Sequence, residues 1–354
     1  MKLLFFRAEA PERSVQKMDD KNIRAGRVPE SLLKKITSYR EFGLLLAFAA
    51  ILVIAAFATP KMFQPEALHQ MLRNYAVFGI LAIGMLGVML TGGIDLSVGS
   101  TLALSGLVST QLMIAGTPVL FCILGAAGAG LLCGLLNGLL VGKLNMLPLI
   151  ATLATMYIIR GVAYILCHGK WMMPNIYTHN YTIVALGQPL VLYNILVIYI
   201  VVLIAASIFF SQIRLGRRIY AVGSSPDSAL VAGIDVGTIR LAAYLIMGTL
   251  VGLGGFLYTS NYAVWEPQTG SGFEMEVIAI CVLGGTSISG GTGKTGGVFI
   301  ATLLMSVVSY FLSMLPGMSV WKMGLQGALI IVAVAVNILT AKLSVATALK
   351  ARIL

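Results

Sequence analysis

The chain has 354 residues, 58% of them hydrophobic and only 10% charged, with a mean hydropathy of +0.93 and a formal net charge of +11. A soluble domain carries roughly 25% charged residues, so water is not the main solvent of this chain. The positive balance does not point to nucleic acid either: the basic residues are spread over short loops and tails, with no basic face and no interleaved aromatics. Glycine is abundant, at 39 residues, and lets helices approach closely where no hydrophobic effect drives them together.

Residues 1–41 hold ten Lys/Arg and six Asp/Glu, and their apolar run at 3–6 is too short for a signal-peptide core. This stretch reads as a partly disordered cytoplasmic tail, with an amphipathic piece at 32–39 able to lie on the membrane. Ten apolar stretches follow, near 42–58, 75–91, 98–114, 118–140, 148–166, 191–210, 241–258, 274–289, 296–314 and 320–340. The fold expected is an all-α polytopic membrane protein of about ten transmembrane helices, a membrane domain over 42–340 and a second cytoplasmic tail over 341–354. Several stretches fall short of the roughly 20 residues a straight span needs. Broken or re-entrant segments are therefore expected near 92–99 and 284–297. With both termini inside, 19 of 24 Lys/Arg fall on the cytoplasmic side, among them Lys143, Arg214, Arg217, Arg218, Arg240 and Lys294; four, Lys61, Arg73, Lys170 and Lys322, fall outside.

The informative residues are the polar ones on this apolar background. Asp95, Ser97 and Ser100 sit in a glycine-rich break with Gly92 and Gly93. Asp95 either caps a helix beginning near Leu96 or takes a direct part in a solute path. Asn137 and Arg160 lie inside apolar stretches, where each is costly unless paired or facing water. For Asn137 the structural reading is an interhelical hydrogen bond, and for Arg160 it is snorkelling to the outer surface. Glu274 and Glu276 open the eighth stretch, where carboxylates suit the positive end of a helix dipole; two apart, they point to different sides, so one can cap while the other faces a path.

The four cysteines and three histidines show no metal-ligand spacing, and no catalytic constellation is present. Neither a metal nor a cofactor is expected. His168 and His179 fall in a long outer loop. Gly291-Thr292-Gly293-Lys294-Thr295-Gly296 mimics a nucleotide loop, but a phosphate loop needs glycine where Ile288 stands, and an apolar stretch rather than a strand precedes it. A tight inner turn with Lys294 as its anchor is the better reading.

Thr91-Gly92-Gly93-Ile94-Asp95-Leu96-Ser97-Val98-Gly99-Ser100 resembles the signature of permease subunits of ribose-type monosaccharide ABC importers, a group that includes the autoinducer 2 importer permeases. Three further segments match in order: Pro148 to Thr155 with Arg160-Gly161; Gly216-Arg217-Arg218-Ile219-Tyr220-Ala221-Val222-Gly223 with Ala229 and Gly233-Ile234; and Gly272-Phe273-Glu274-Met275-Glu276 through Gly291. The resemblance covers about 42–340. It implies a permease dimer, homomeric or heteromeric, around one path in the lipid membrane, with ABC ATPase subunits beneath and an extracytoplasmic sugar-binding protein above. The path candidates are then Gly92, Gly93, Asp95, Ser97, Asn137, Glu274 and Glu276. The ATPase-coupling loop would carry Gly216, Arg217, Arg218, Asp227, Ala229 and Gly233, with a short helix near 226–232 whose Ala229 and Gly233, four apart, share a face. A branched-chain amino-acid ABC permease and an ion-coupled secondary transporter are the alternatives. Ribose, xylose, rhamnose, galactose and autoinducer 2 are all compatible solutes.

Overall fold

The computed structural model describes residues 40–173, 179–188 and 192–321, with a few isolated positions beyond. The tail with its 32–39 stretch, most of the tenth apolar stretch and the C-terminal tail lie outside the described residues. Among the described residues no strand forms, and a single isolated bridge pairs Met172 with Trp265. The chain folds as α1 (Arg40–Ala58), α2 (Pro65–Leu90), α3 (Val98–Ile114), α4 (Val119–Gly138, extended by a π-turn Leu139–Lys143), α5 (Pro148–Cys167), α6 (His179–Leu186), α7 (Asn194–Gln212), α8 (Arg214–Ser224), α9 (Pro226–Val231), α10 (Val236–Tyr262), α11 (Phe273–Leu283) and α12 (Thr295–Met314).

Six of these are long and apolar enough to cross a membrane: α2, α4 with its π-turn, α5, α7, α10 and α12; Phe48–Ala58 and α3 are shorter apolar helices. The architecture is that of an all-α polytopic membrane protein. Hydropathy understated α2, which was expected near 75–91 but starts at Pro65; its first turns carry Glu66, His69, Gln70, Arg73 and Asn74, polar residues that do not interrupt the helix. From Tyr75 to Leu90 every residue is buried, as a helix apolar on all sides should be. The eighth stretch ends sooner than expected, since α11 stops at Leu283 and the chain turns at Gly285, φ +86°. The long outer loop contains α6, and His168 closes α5 in a left-handed conformation.

Both anticipated breaks are present, at 91–97 and 284–294. A third irregular stretch was not anticipated. After α10 the segment 263–272 runs back along α3: the indole Nε1 of Trp265 donates to Ala103 O at 2.8 Å, and Gly270 lies so close to Gly99 that a Cβ on Gly99 would sit 2.0 Å from Gly270 O.

α10 is the central strut, packing on α2, α3 and α4. Its contact with α4 is a stripe of small residues. Ala126, Gly130, Gly134 and Gly138 recur every fourth residue, on one face of α4, opposite Gly252, Gly248, Tyr244 and Leu241. A Cβ on Gly130 would stand 2.2 Å from Gly248 O, and one on Gly134 would stand 2.3 Å from Tyr244 O. Because those neighbours are backbone, they cannot rotate away. Gly130→Ala is expected to lower stability by about 1–3 kcal/mol or to prevent folding. Gly128→Ala, in the same helix with nothing within 4 Å of its Cβ, should leave stability equal or higher, since alanine favours helix over glycine by about 1 kcal/mol. Thermal unfolding of the two variants in detergent checks this contrast.

Candidate functional site

The break at 91–97 frees backbone groups inside an apolar bundle, and polar side chains from three other helices collect there. Asp95, buried, accepts hydrogen bonds through Oδ1 from Ser97 N at 2.8 Å and Ser97 Oγ at 2.7 Å. Asn137 of α4 donates from Nδ2 to Ser97 Oγ at 2.8 Å and, more weakly, to both Asp95 oxygens at 3.4 Å. Its Oδ1 accepts from Thr155 Oγ1 of α5 at 2.6 Å. One turn earlier, Thr152 Oγ1 accepts from Leu96 N at 3.1 Å and reaches Ile94 O at 3.2 Å. Tyr244 of α10 donates to the same carbonyl at 3.4 Å.

The regular helix starts two residues later than the start near Leu96 that the capping reading of Asp95 assumed. α3 begins at Val98 with Ser97 at its N-cap. Asp95 accepts from Ser97 N two residues on, an Asx-turn bond that is also the cap bond of a helix counted from Leu96. Its carboxylate is the centre of a tie between the break, α4 and α5. Gly92 takes φ +81° and is exposed; Gly93 is buried, with no room for a Cβ beside Tyr244 Oη, which would lie at 3.0 Å.

Glu274 and Glu276 do not join this cluster. Glu276 is buried and accepts from Tyr75 Oη, which also bonds Ser309 Oγ of α12. Glu274 is half-buried where 263–272 abuts α3; a Cβ on Gly99 would come within 2.8 Å of its Oε2. Arg160 is half-buried, and its Nη1 donates to Thr269 O at 2.6 Å and Pro267 O at 3.2 Å, tying α5 to the returning segment. Tyr75 and Ser309 were not singled out in the sequence, and Thr152 and Thr155 stood there only within the matched segment Pro148 to Thr155, with no role of their own. Their hydroxyl spacing carries no signal, because serine and threonine in apolar helices more often bond their own preceding turn.

On the other side of the breaks lies the loop that follows α7. α8 is amphipathic, burying Gly216, Ile219 and Val222 and exposing Arg217 and Arg218. α9 starts at Pro226, with Ser225 at its N-cap accepting from Ser228 N and the exposed Asp227 in its first turn. Ala229 and Gly233 do not share a face, contrary to expectation. α9 ends at Val231, Gly233 adopts φ +76° with open space around it, and Ala229 is buried against this chain's own core. The exposed apolar groups are Leu230 and Val231, at 65% and 91%.

Asp235, exposed at the start of α10, accepts from Thr238 N at 3.1 Å and pairs with Lys143 at 3.2 Å. The Thr238 hydrogen bonds, side chain then backbone, and the Lys143 ammonium hold its carboxyl at about 2. A depressed carboxylate stabilises the fold above the ordinary value of about 4 and loses that contribution only as pH falls through the folded value. Wild type and Lys143→Met should therefore give parallel curves of unfolding temperature against pH from roughly pH 5 to pH 9, a comparison that a pH-resolved melt makes directly.

The Asp95–Asn137 contact makes a sharper prediction. In Asp95→Asn an amide would set N–H against N–H with Asn137, leaving a buried donor unpaired at a cost of about 1–3 kcal/mol. The exchange Asp95→Asn with Asn137→Asp restores one acceptor facing one donor. It should recover most of the loss, with a coupling energy of about 0.5–3 kcal/mol in a double-mutant cycle of unfolding free energies. Additive losses would show that the two side chains do not interact.

The family described as branched-chain amino acid transport system / permease component matches residues 67–334. The ribose import permease protein of Bacillus subtilis (strain 168) is 33% identical over 296 residues, 83% of this chain and 92% of that protein. The ribose import permease protein of Escherichia coli (strain K12) is 32% identical over 296 residues, with the same coverage of 83% and 92%. The D-allose transport system permease protein of Escherichia coli (strain K12) is 32% identical over 306 residues, 85% of this chain and 93% of that protein. No solved structure matches the chain. This chain belongs to that family of transport permeases, and is a multi-pass component of the cell membrane rather than an enzyme.

Proposed function

We propose that the chain forms the translocation path of an ATP-binding-cassette importer for a monosaccharide-like solute, by alternating access driven by a partner ATPase. The observation that carries this reading is the match, over more than nine-tenths of their length, to relatives whose named solutes are ribose and D-allose. About ten spans with both termini cytoplasmic accord with the distribution of Lys and Arg. A second permease copy or a paralogue would complete the path, an extracytoplasmic sugar-binding protein would deliver the solute, and the 42–340 domain would sit in lipid between its two cytoplasmic tails.

The path candidates are the residues around the breaks. Backbone carbonyls and N–H groups at Gly92, Gly93 and 263–272, with Ser97, Asn137 and the half-buried Glu274, are the polar groups an apolar bundle has to offer a hydroxylated solute. Asp95 and Glu276 are each held by neighbouring side chains, and in this conformation they support the path rather than line it. The loop over α8 and α9 is the proposed seat of the ATPase. Leu230 and Val231 form an exposed apolar tip on α9, and Arg217 and Arg218 are exposed on α8, a combination that suits docking in a groove of the partner.

Reconstitution with the importer's own ATPase and binding protein tests the reading. Vesicles should take up D-ribose or D-allose only with ATP and the binding protein present. Uptake of L-leucine in place of either sugar would favour the branched-chain reading that the family's description carries, and uptake by the permease alone under an ion gradient would mean a secondary transporter. Leu230→Asp with Val231→Asp should reach the membrane in normal amount but bind the ATPase at least about tenfold more weakly, 1.4 kcal/mol, in co-purification. Ala229→Trp should instead lower the amount of folded permease, because Ala229 faces the core.

A further inference from the structure

Three segments that are distant in sequence meet backbone to backbone at the end of α8. Leu90 O, the last helical carbonyl before the first break, accepts from Gly291 N in the second break at 3.0 Å. A Cβ on Gly223 would stand 1.7 Å from Leu90 O and 2.6 Å from Gly291 N; one on Gly291 would stand 2.8 Å from Ser224 Cα; one on Gly290 would stand 2.8 Å from Gly92 N. Tyr220 Oη donates across the junction to Gly293 O at 2.7 Å. No side chain separates the three, so no rotamer change can absorb a shift of one against another, and close-packed interiors transmit such displacements.

We infer that Tyr220 and Gly223 are positioning residues: they clasp both helix breaks to the end of α8, so that α8 and the breaks move as one body. This rests on the reading above that the loop over α8 and α9 receives the ATPase. A displacement of α8 is then delivered straight to 91–97, and from there through Ser97, Asn137, Thr152 and Thr155 to α4 and α5. The long helices need not carry the signal from their ends. The second break, whose glycines only mimic a nucleotide loop, takes part in this clasp: Gly290 and Gly291 take φ +89° and +74° and supply the close approach.

The four native cysteines are buried and free, so spin labels can be placed at Arg214→Cys, the first residue of α8, and at Ser289→Cys in the second break, both exposed positions. The complete importer in vesicles is measured by pulsed electron resonance without nucleotide and with ATP and vanadate. In the wild-type background the distance should be the same in both states. In Tyr220→Phe, which removes only the hydroxyl, ATP and vanadate should raise the population at distances longer by ~5 Å, one helical turn, roughly fivefold, while ATP hydrolysis persists. A wild-type distance that changes by about that turn overturns the clasp, and so does Tyr220→Phe behaving as wild type. Absence of the ATPase from the purified wild-type complex would refute the coupling reading itself and is scored separately.

Discussion

Interrupting a helix inside an apolar bundle leaves N–H and C=O groups that no water will satisfy, and each costs several kcal/mol unless the protein supplies a partner. The break at 91–97 is the place where this constraint is most exacting, and the polar side chains of three neighbouring helices are arranged around it. Asp95 serves Ser97 N, Thr152 serves Leu96 N, and Ile94 O is reached by both Thr152 and Tyr244. Leu90 O is met by the backbone of the other break. The elements that supply these partners, α4, α5, α10 and the 284–294 loop, are thereby fixed around one point.

Glycine solves the complementary problem of bringing backbones into contact. On the α4–α10 stripe it replaces side-chain interdigitation with direct helix contact, the form of packing that works where lipid and protein are equally apolar. At the junction of α8 with the breaks the same residue does something different. There Gly92, Gly290 and Gly291 take left-handed conformations, and Gly223, within α8, admits a carbonyl and an N–H that a side chain would exclude. The first use fixes a rigid pair of helices; the second joins irregular segments that have no helix of their own to hold them.

α11 links the two polar regions. Near its start Glu276 meets Tyr75 and Ser309, and at its end the chain enters the clasp with Gly223 and Leu90. Beside that start, Arg160 ties 263–272 to α5, whose Thr152 and Thr155 belong to the cluster at 91–97. α5 and α11 therefore each touch both regions. An importer of this family needs two discrete arrangements of one bundle, and packed elements with contacts at both ends are what make such arrangements discrete.

Composition alone determined that the chain lives in a membrane, because no soluble core could bury 58% hydrophobic residues with only 10% charged. Hydrophobic runs located the principal helices, and glycine clusters located both anticipated breaks, since these are properties of short consecutive segments. Side-chain partnerships were not legible in the same way. The local bond of Asp95 to Ser97 N was legible from spacing, while its second partner, Asn137, lies 42 residues away on α4. Ala229 and Gly233 looked like one face because helical spacing was carried past the end of the short helix; the fold ends that helix at Val231, gives Gly233 a left-handed turn and buries Ala229. The return of 263–272 along α3 left no local signal, because its hold comes from Arg160, Ala103 and Gly99 on other helices. Sequence determines what each segment must bury or satisfy; which distant group does the satisfying is decided only when the helices pack.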